Sequence, residues 1–333
     1  MLFSINLSLA TLCGANCIFC PTDRGDRHIR VMPVELAKKI IDEVSEPEFQ
    51  RVHGTQAFVL GENGDLFLNK ACLEIMRYIR IKCPAMGITI FTNFQNANQA
   101  ILETIHKEKL VDFVNCNIDS VNEDMYHRIK GIDLSKVLKN LKQFFDLRRR
   151  YASNIPVQIY SITLYTYVKA IYDNFGVLPA KADRCMGESI YDDFDETRSY
   201  LEKLIDPAID RVAKVDKVMC WAERERVSKN IDYAKYQCTN LNRVMREAFI
   251  APNGDWYICC YDAKNEVVLG NVGKESLHAM FFSTKRMEII NHLANQRFRS
   301  VGGPCCTVNC CQFVGLVNEK ESANPFLVTK KAD

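Results

Sequence analysis

The chain has 333 residues, 47% of them apolar, with 43 basic against 41 acidic side chains and a net charge of +2. That content supplies a sizeable core and excludes a disordered chain, and the charge balance gives no field for nucleic acid or an anionic membrane. The length suggests one large domain with a smaller one. With no signal peptide and no apolar run near membrane-span length, the reading is a cytoplasmic protein without nucleic-acid or membrane partners.

Taken in order, a strand over Phe3–Leu9 leads into Cys13-Gly-Ala-Asn-Cys17-Ile-Phe19-Cys20. An amphipathic helix follows over Met32–Val44, with Pro33 near its start, and then a buried strand over Ala57–Leu60. Helices are expected over Lys70–Ile81, Gln99–Lys107, Leu134–Arg150 and Tyr167–Phe175. They alternate with strands over Gly87–Phe91, Val111–Ile118 and Pro156–Thr163, and a last strand lies near Lys214–Cys220. Alternation without hairpin turns predicts βαβ units on a parallel sheet, with about six units against the eight of a closed barrel. Asp192–Ile205 reads as an acidic surface helix or, alternatively, a lid. From about Ser228 the pattern changes, and Ile250–Cys259 reads as a β-hairpin around Asn253-Gly254. Leu269-Gly-Asn-Val-Gly and a helix then return the chain to its last cysteines. The expected divisions are 1–225, 226–317 and a polar tail, 318–333.

Fifteen cysteines need a reason. A secreted disulfide framework is opposed by the missing signal peptide, the α/β pattern and the local crowding of the cysteines, so iron–sulfur ligation in a reducing compartment fits better. Cys72, Cys83 and Cys116 read more simply as buried small hydrophobes. Three thiolates at positions 13, 17 and 20 can hold three irons of a cubane and leave the fourth iron open. A structural zinc site would need a fourth ligand close by, and the next histidine, His28, lies in a polar basic segment.

Ligands in parallel α/β folds gather at the carboxyl ends of strands. Three polar stretches stand there: Leu60-Gly-Glu62-Asn-Gly64-Asp65, Thr92-Asn93, and Asn115-Cys-Asn117-Ile-Asp119-Ser120. Each also has a plain structural reading, as a glycine-rich turn, a turn asparagine, and a cap for a helix near Glu123.

The Cys-x3-Cys-x2-Cys spacing, with Phe19 before the last cysteine and a strand before the first, resembles the radical S-adenosylmethionine enzymes. The three strand-end stretches follow in that family's order. The resemblance implies a partial (β/α)6 TIM-like barrel and a 4Fe-4S cluster on Cys13, Cys17 and Cys20. It also implies S-adenosylmethionine contacts from Phe19, Gly64, Asp65, Asn93, Asn117 and Asp119, with Glu62 as a competing register for Asp65. Reductive cleavage then yields a 5′-deoxyadenosyl radical that takes hydrogen from a substrate C–H, with flavodoxin or ferredoxin as reductant.

Cys238-x15-Gly254-x4-Cys259 resembles the opening of the SPASM and twitch domains that hold auxiliary clusters. It implies one auxiliary 4Fe-4S cluster on Cys238, Cys259, Cys306 and Cys310, with Cys305 or Cys311 able to substitute and Cys260 spare. A four-thiolate zinc ribbon is the alternative for that spacing. An auxiliary cluster that accepts an electron implies oxidation of the substrate. A thiol that returns hydrogen implies epimerisation, with Cys185 and Cys220 as candidate donors, though each also reads as a buried structural thiol. Peptide-modifying members commonly carry a leader-recognition domain, for which a barrel starting at Phe3 leaves no room, so a sugar-like or aminocyclitol-like small molecule is favoured over a peptide. A non-catalytic iron–sulfur or zinc protein is the alternative of another class.

Overall fold

The computed structural model describes residues 1–20, 31–176, 178–179, 190–215, 238, 240–262 and 264–303. The strands β1 (Ser4–Leu7), β2 (Ala57–Leu60), β3 (Gly87–Thr92), β4 (Phe113–Asn117), β5 (Val157–Ser161) and β6 (Arg211–Lys214) pair in parallel, each with the next. Between them run α1 (Val34–Ser45), α2 (Pro47–His53), α3 (Cys72–Lys82), α4 (Gln99–Lys107), α5 (Glu123–Lys130), α6 (Leu134–Arg150), α7 (Leu164–Phe175) and α8 (Phe194–Leu201). This is the expected βα alternation.

Local pattern explains the layers. Helix α1 buries Ala37, Ile40, Ile41 and Val44, and α3 buries Cys72, Ile75, Met76 and Ile79, one stripe each at helical spacing. Strand β3 alternates, with Ile88, Ile90 and Thr92 buried and Gly87, Thr89 and Phe91 half-buried. Cys72, Cys83 and Cys116 are buried in the main core, as their composition suggested. On the far side, Arg148 of α6 grips Asp210 with two hydrogen bonds of 2.7 Å, and Asp210 Oδ1 also accepts the Val157 N–H at 2.8 Å. That fork ties α6 to the start of β5 and to the residue preceding β6.

The region after residue 240 differs from a free-standing hairpin. Strand β7 (Glu247–Ile250) pairs in parallel with β1, from Ser4↔Glu247 to Leu7↔Ile250, and β8 (Asp255–Tyr257) and β9 (Val268–Asn271) continue the same sheet antiparallel. The order among the described residues is β6-β5-β4-β3-β2-β1-β7-β8-β9. All four residues of β1 are buried, because a strand covered on both faces needs a ladder on both edges. The expected Asn-Gly turn is present, with Gly254 at φ 89°. Strand β9, expected only as a connection, closes against Trp256 through Gly270.

Helix α2 was not foreseen and α5 was expected only as a helix near Glu123, although the end signals of both are in the sequence. Pro47 opens α2 and Gly54 closes it in the left-handed region, while Asn122 caps α5 by accepting the Met125 N–H at 3.1 Å and Gly131 ends it at φ 67°. Both helices are short, which leaves little periodicity to read. Among the described residues no helix is long and apolar enough to cross a membrane.

Candidate active site

The loop bearing Cys13, Cys17 and Cys20 is pinned at both stems. Asn69 Nδ2 donates at 3.0 Å to the carbonyls of Leu9 and Met32, and the Met32 N–H donates to Leu9 at 2.9 Å. Its middle rests on the end of α5, whose last carbonyls lack helical partners. The Asn16 N–H donates to the Lys130 carbonyl at 2.6 Å and the Ile18 N–H to the Ile129 carbonyl at 2.9 Å. Ile18 is fully buried in a small core with Met125, Ile129, Leu164 and Tyr167, which anchors the loop between its second and third cysteines. Cys13, Cys17, Phe19 and Cys20 line a cavity of about 360 Å³.

The donor set suits a polynuclear iron–sulfur group. The three thiols of one loop border one cavity. They are not joined in disulfides. Burial pushes the Cys17 thiol up to about 12 against the pull of Lys130. Burial raises the Cys13 thiol as well, so a positive metal centre would stabilise these two as thiolates.

Behind the loop stands Lys130, 4% exposed, its Nζ 2.8 Å from Asp119 Oδ2 and 5.1 Å from the centre of the Phe19 ring. Burial lowers its affinity for a proton, but Asp119 and Cys17 outweigh burial and raise it above the ordinary lysine value. Asp119 is fully buried and receives the Ile162 N–H on Oδ1 at 2.8 Å, so it neither lines the cavity nor caps α5. It positions Lys130, which does line the cavity.

The strand-end residues divide in the same way. Asn93 and Asn117 line the cavity, Asn93 with Nδ2 3.8 Å from Cys13 Sγ and with Oδ1 accepting the Gln95 N–H at 2.9 Å. Gly64 lines it too, but its want of a side chain serves the cysteine loop. At φ 100°, an added Cβ would lie 2.3 Å from the Ala10 carbonyl and 2.8 Å from that of Leu12. Asp65 turns away, 1% exposed, capping the 3-10 turn Leu66–Leu68 through Phe67 N–H at 3.2 Å and accepting from Asn96 Nδ2 at 2.7 Å. Glu62, the competing register, is the carboxylate that reaches the cavity.

Gly64→Ala is expected to cost roughly 2–4 kcal/mol, strain plus overlap, and to lower iron loading because residues 10–12 lead directly into Cys13. Gly176→Ala, at φ 65° with nothing within 4 Å of the added Cβ, is expected to cost only about 1 kcal/mol. Urea midpoints with iron counts on both variants check the contrast.

The segment around β7 and β8 supplies the remaining lining. Arg243, preceding β7, donates from Nη2 to Glu62 Oε1 at 2.9 Å and to Glu247 Oε2 at 2.8 Å, and from Nη1 to Cys260 Sγ at 2.8 Å. Asn6 Nδ2 reaches Glu247 Oε2 at 3.1 Å. Burial pushes the Glu62 carboxyl up and the Cys260 thiol well up, with Arg243 opposing both. Cys260, expected as a spare, thus borders the same cavity as the N-terminal cysteines, together with Arg243 and Tyr261. Cys259 is buried in the main core and Cys238 packs against it. Cys185, Cys220, Cys305, Cys306, Cys310 and Cys311 lie outside the described residues. Sequence reasoning missed Lys130, Arg243 and Asn69, which carry no motif and act through contacts distant in the chain.

A partial parallel barrel with three cysteines on the loop after its first strand, and a cysteine-bearing hairpin pairing with that strand, defines a class of iron–sulfur fold. The chain matches the radical SAM superfamily over residues 7–160 and the SPASM iron–sulfur cluster-binding domain over residues 238–312. It belongs to the radical SAM superfamily and carries a SPASM domain, so its cofactors are 4Fe-4S clusters and S-adenosylmethionine. No curated protein matches the chain in sequence.

Solved structures share the fold. BtrN in complex with AdoMet and 2-DOIA is 12% identical, with TM-score 0.52 and 90% of each chain covered. Streptococcus suis SuiB bound to S-adenosylmethionine is 14% identical, with TM-score 0.54, covering 87% of this chain and 68% of that one. Native anSMEcpe with bound AdoMet and Cp18Cys peptide is 11% identical, with TM-score 0.54 and 93% of each chain covered.

Proposed function

We propose that the cavity bordered by Cys13, Cys17 and Cys20 is where S-adenosylmethionine is cleaved and where a substrate C–H is attacked. The observation that carries this is the placing of all three thiols of one pinned loop on one cavity, beside Asn93, Asn117 and Glu62. When bound, the cluster supplies the electron and the open iron that give a 5′-deoxyadenosyl radical. The chain's share is to hold and orient. Asn69 and the end of α5 fix the thiols, and Phe19, with Lys130 behind it, forms one side. Glu62 offers a carboxylate to an ammonium, and Asn93 and Asn117 offer amides to polar groups of the nucleoside. The apolar backing by Phe91 and Ile162 keeps water from the reacting carbon.

A small molecule such as a sugar or aminocyclitol is the preferred substrate, oxidised or epimerised with help from one auxiliary 4Fe-4S cluster in which Cys238 and Cys259 take part. A peptide is the second reading, favoured by the likeness to anSMEcpe with its bound peptide. The reductant is a low-potential protein of the flavodoxin or ferredoxin kind, and the barrel and auxiliary regions divide near residue 225.

Anaerobic reconstitution followed by iron, sulfide and 5′-deoxyadenosine assays tests the reading. The expected result is about eight irons per chain and product that depends on both S-adenosylmethionine and dithionite. About four irons would remove the auxiliary cluster. An absence of product from fully loaded protein would overturn the enzyme assignment.

A further inference from the structure

Seven large apolar side chains are exposed among the described residues, and five of them gather in one place: Met1, Phe3, Met245, Phe282 and Met287. Apolar residues scattered singly on a surface are ordinary, but a gathered patch marks a contact face. The Phe3 N–H donates to the Arg246 carbonyl at 2.6 Å, and the Arg246 guanidinium lies 5.2 Å from the centre of the Phe3 ring. Arg286 donates from below to the carbonyls of Met245 at 2.7 Å and Phe281 at 3.0 Å. The Phe282 ring sits 5.0 Å from that of Phe281, and Met287 follows Arg286 on the helix Thr284–Ala294. Met1 reaches Gly54, beside His53, whose ring is 6.0 Å from that of Phe282. The patch therefore lies where β1 and β7 start, whereas the cysteine loop follows the end of β1.

The charge of this face is positive. Arg286 is 2% exposed between Phe281 and Trp256, and its Nε has no hydrogen-bond partner. No carboxylate among the described residues offsets its burial, which pulls it down to about 10 and leaves it charged at neutral pH. A buried guanidinium without a counterion is costly, and a carboxylate brought up from outside lowers that cost. Arg246 is exposed and, among the described residues, its guanidinium faces the Phe3 ring rather than an acid. Glu247, the next residue, turns away toward Arg243 and Asn6. Lys285 and Glu288, both exposed on the same helix as Met287, cancel each other.

These features fit a protein partner with an apolar centre and an acidic rim. A second copy of this chain fits badly, since a two-fold contact would bring one positive patch onto another. Location narrows the choice. The helix Leu241–Arg246 starts at Cys238, whose carbonyl accepts the Leu241 N–H at 3.2 Å, and it ends in the patch, a length of about 9 Å at the helical rise. Resting on the reading in which Cys238 helps to hold an auxiliary cluster, we propose that this patch is the docking surface for an acidic, low-potential electron-donor protein. One electron passes from the donor to the clusters of this chain. The donor is oxidised by one electron, a cluster is reduced by one, and no covalent bond changes. The three methionines of the patch make an adaptable surface, which suits a partner that leaves after each transfer.

The test compares two reductants on reconstituted protein with S-adenosylmethionine. Dithionite is small and needs no docking face, whereas a purified flavodoxin, reduced beforehand, does. In Met245→Glu with Phe282→Glu, and separately in Arg246→Glu, flavodoxin-driven formation of 5′-deoxyadenosine is expected to fall roughly tenfold. The dithionite-driven rate and the iron counts of these variants are expected to equal wild type. Raising salt from about 50 to about 500 mM should slow the flavodoxin reaction of the wild type severalfold and that of Arg246→Glu much less. An equal fall with both reductants would overturn the proposal, because the patch would then be covered within the chain and serve its stability. A flavodoxin rate unchanged in both variants would overturn it too, as would a wild-type protein that dithionite drives and neither flavodoxin nor a ferredoxin does. A wild-type dimer in sedimentation velocity, split by Met245→Glu with Phe282→Glu, would make the face a self-contact and overturn it as well. No product with dithionite would overturn the cleavage reading instead. Calorimetric binding of the flavodoxin would then decide the docking face: binding by wild type that the variants lose supports it, and no binding overturns it.

Discussion

Replacing Cys13, Cys17 and Cys20 together by Ala is expected to bring 5′-deoxyadenosine formation down to the reagent background and to remove about four irons per chain, leaving the auxiliary complement in place. The fold should survive, because the loop is held by contacts that do not involve sulfur. These are Asn69 at its stems, the carbonyls of Ile129 and Lys130 at its middle, and Ile18 in its small core. Circular dichroism and a thermal melt near wild type, with activity gone, separate loss of the site from loss of the protein. Unchanged product formation would mean that the cleavage site lies elsewhere.

Lys130→Met is expected to destabilise the protein by about 3–5 kcal/mol, the usual result of stranding one member of a buried ion pair. Asp119, fully buried, would keep, among the described residues, the Ile162 N–H as its compensating contact. A loss of that size corresponds to a fall in melting temperature on the order of 10 °C. The double variant Lys130→Met with Asp119→Asn removes both charges, so it should recover much of the loss. Recovery in the double variant would identify the pair as the cause, whereas equal damage in both would place the effect in packing around Phe19. The bond from Asn16 N–H to the Lys130 backbone carbonyl is untouched by either change.

Elements with a long apolar stripe or a clean alternation were legible in the sequence. Gln99–Lys107, Leu134–Arg150 and Ala57–Leu60 have the expected bounds, because nine or more residues at helical spacing, or a short β-rich run between helices, admit few other structures. Short elements were legible only in part, and distant pairings were not. Helix α5 has eight residues, and its importance comes from what its C-terminal carbonyls hold over a hundred residues upstream. The parallel pairing of Ser4–Leu7 with Glu247–Ile250 joins segments more than 240 residues apart, which no local pattern reports.

The cavity shows the same division. The three cysteines were singled out by their spacing, and Phe19, Gly64, Asn93 and Asn117 by the family resemblance; all of them line it. Asp65 and Glu62 are three residues apart in one turn, and the choice between them depends on which carboxylate caps the turn at Leu66. Asp65 does so and is thereby withdrawn, which leaves Glu62 to the cavity. Asp119 was expected to contact S-adenosylmethionine, but it lies behind the cavity wall, its Oδ2 2.8 Å from Lys130 Nζ.

The central claim, that one iron beside Cys13, Cys17 and Cys20 has no amino-acid ligand, is tested most directly by electron–nuclear double resonance on the reduced, reconstituted protein with S-adenosylmethionine carrying 15N in its amino group. The account predicts a 15N hyperfine coupling of a directly bound nitrogen, absent from the Cys13, Cys17, Cys20→Ala protein. A reduced-cluster spectrum that is indifferent to S-adenosylmethionine and shows no such coupling would contradict it.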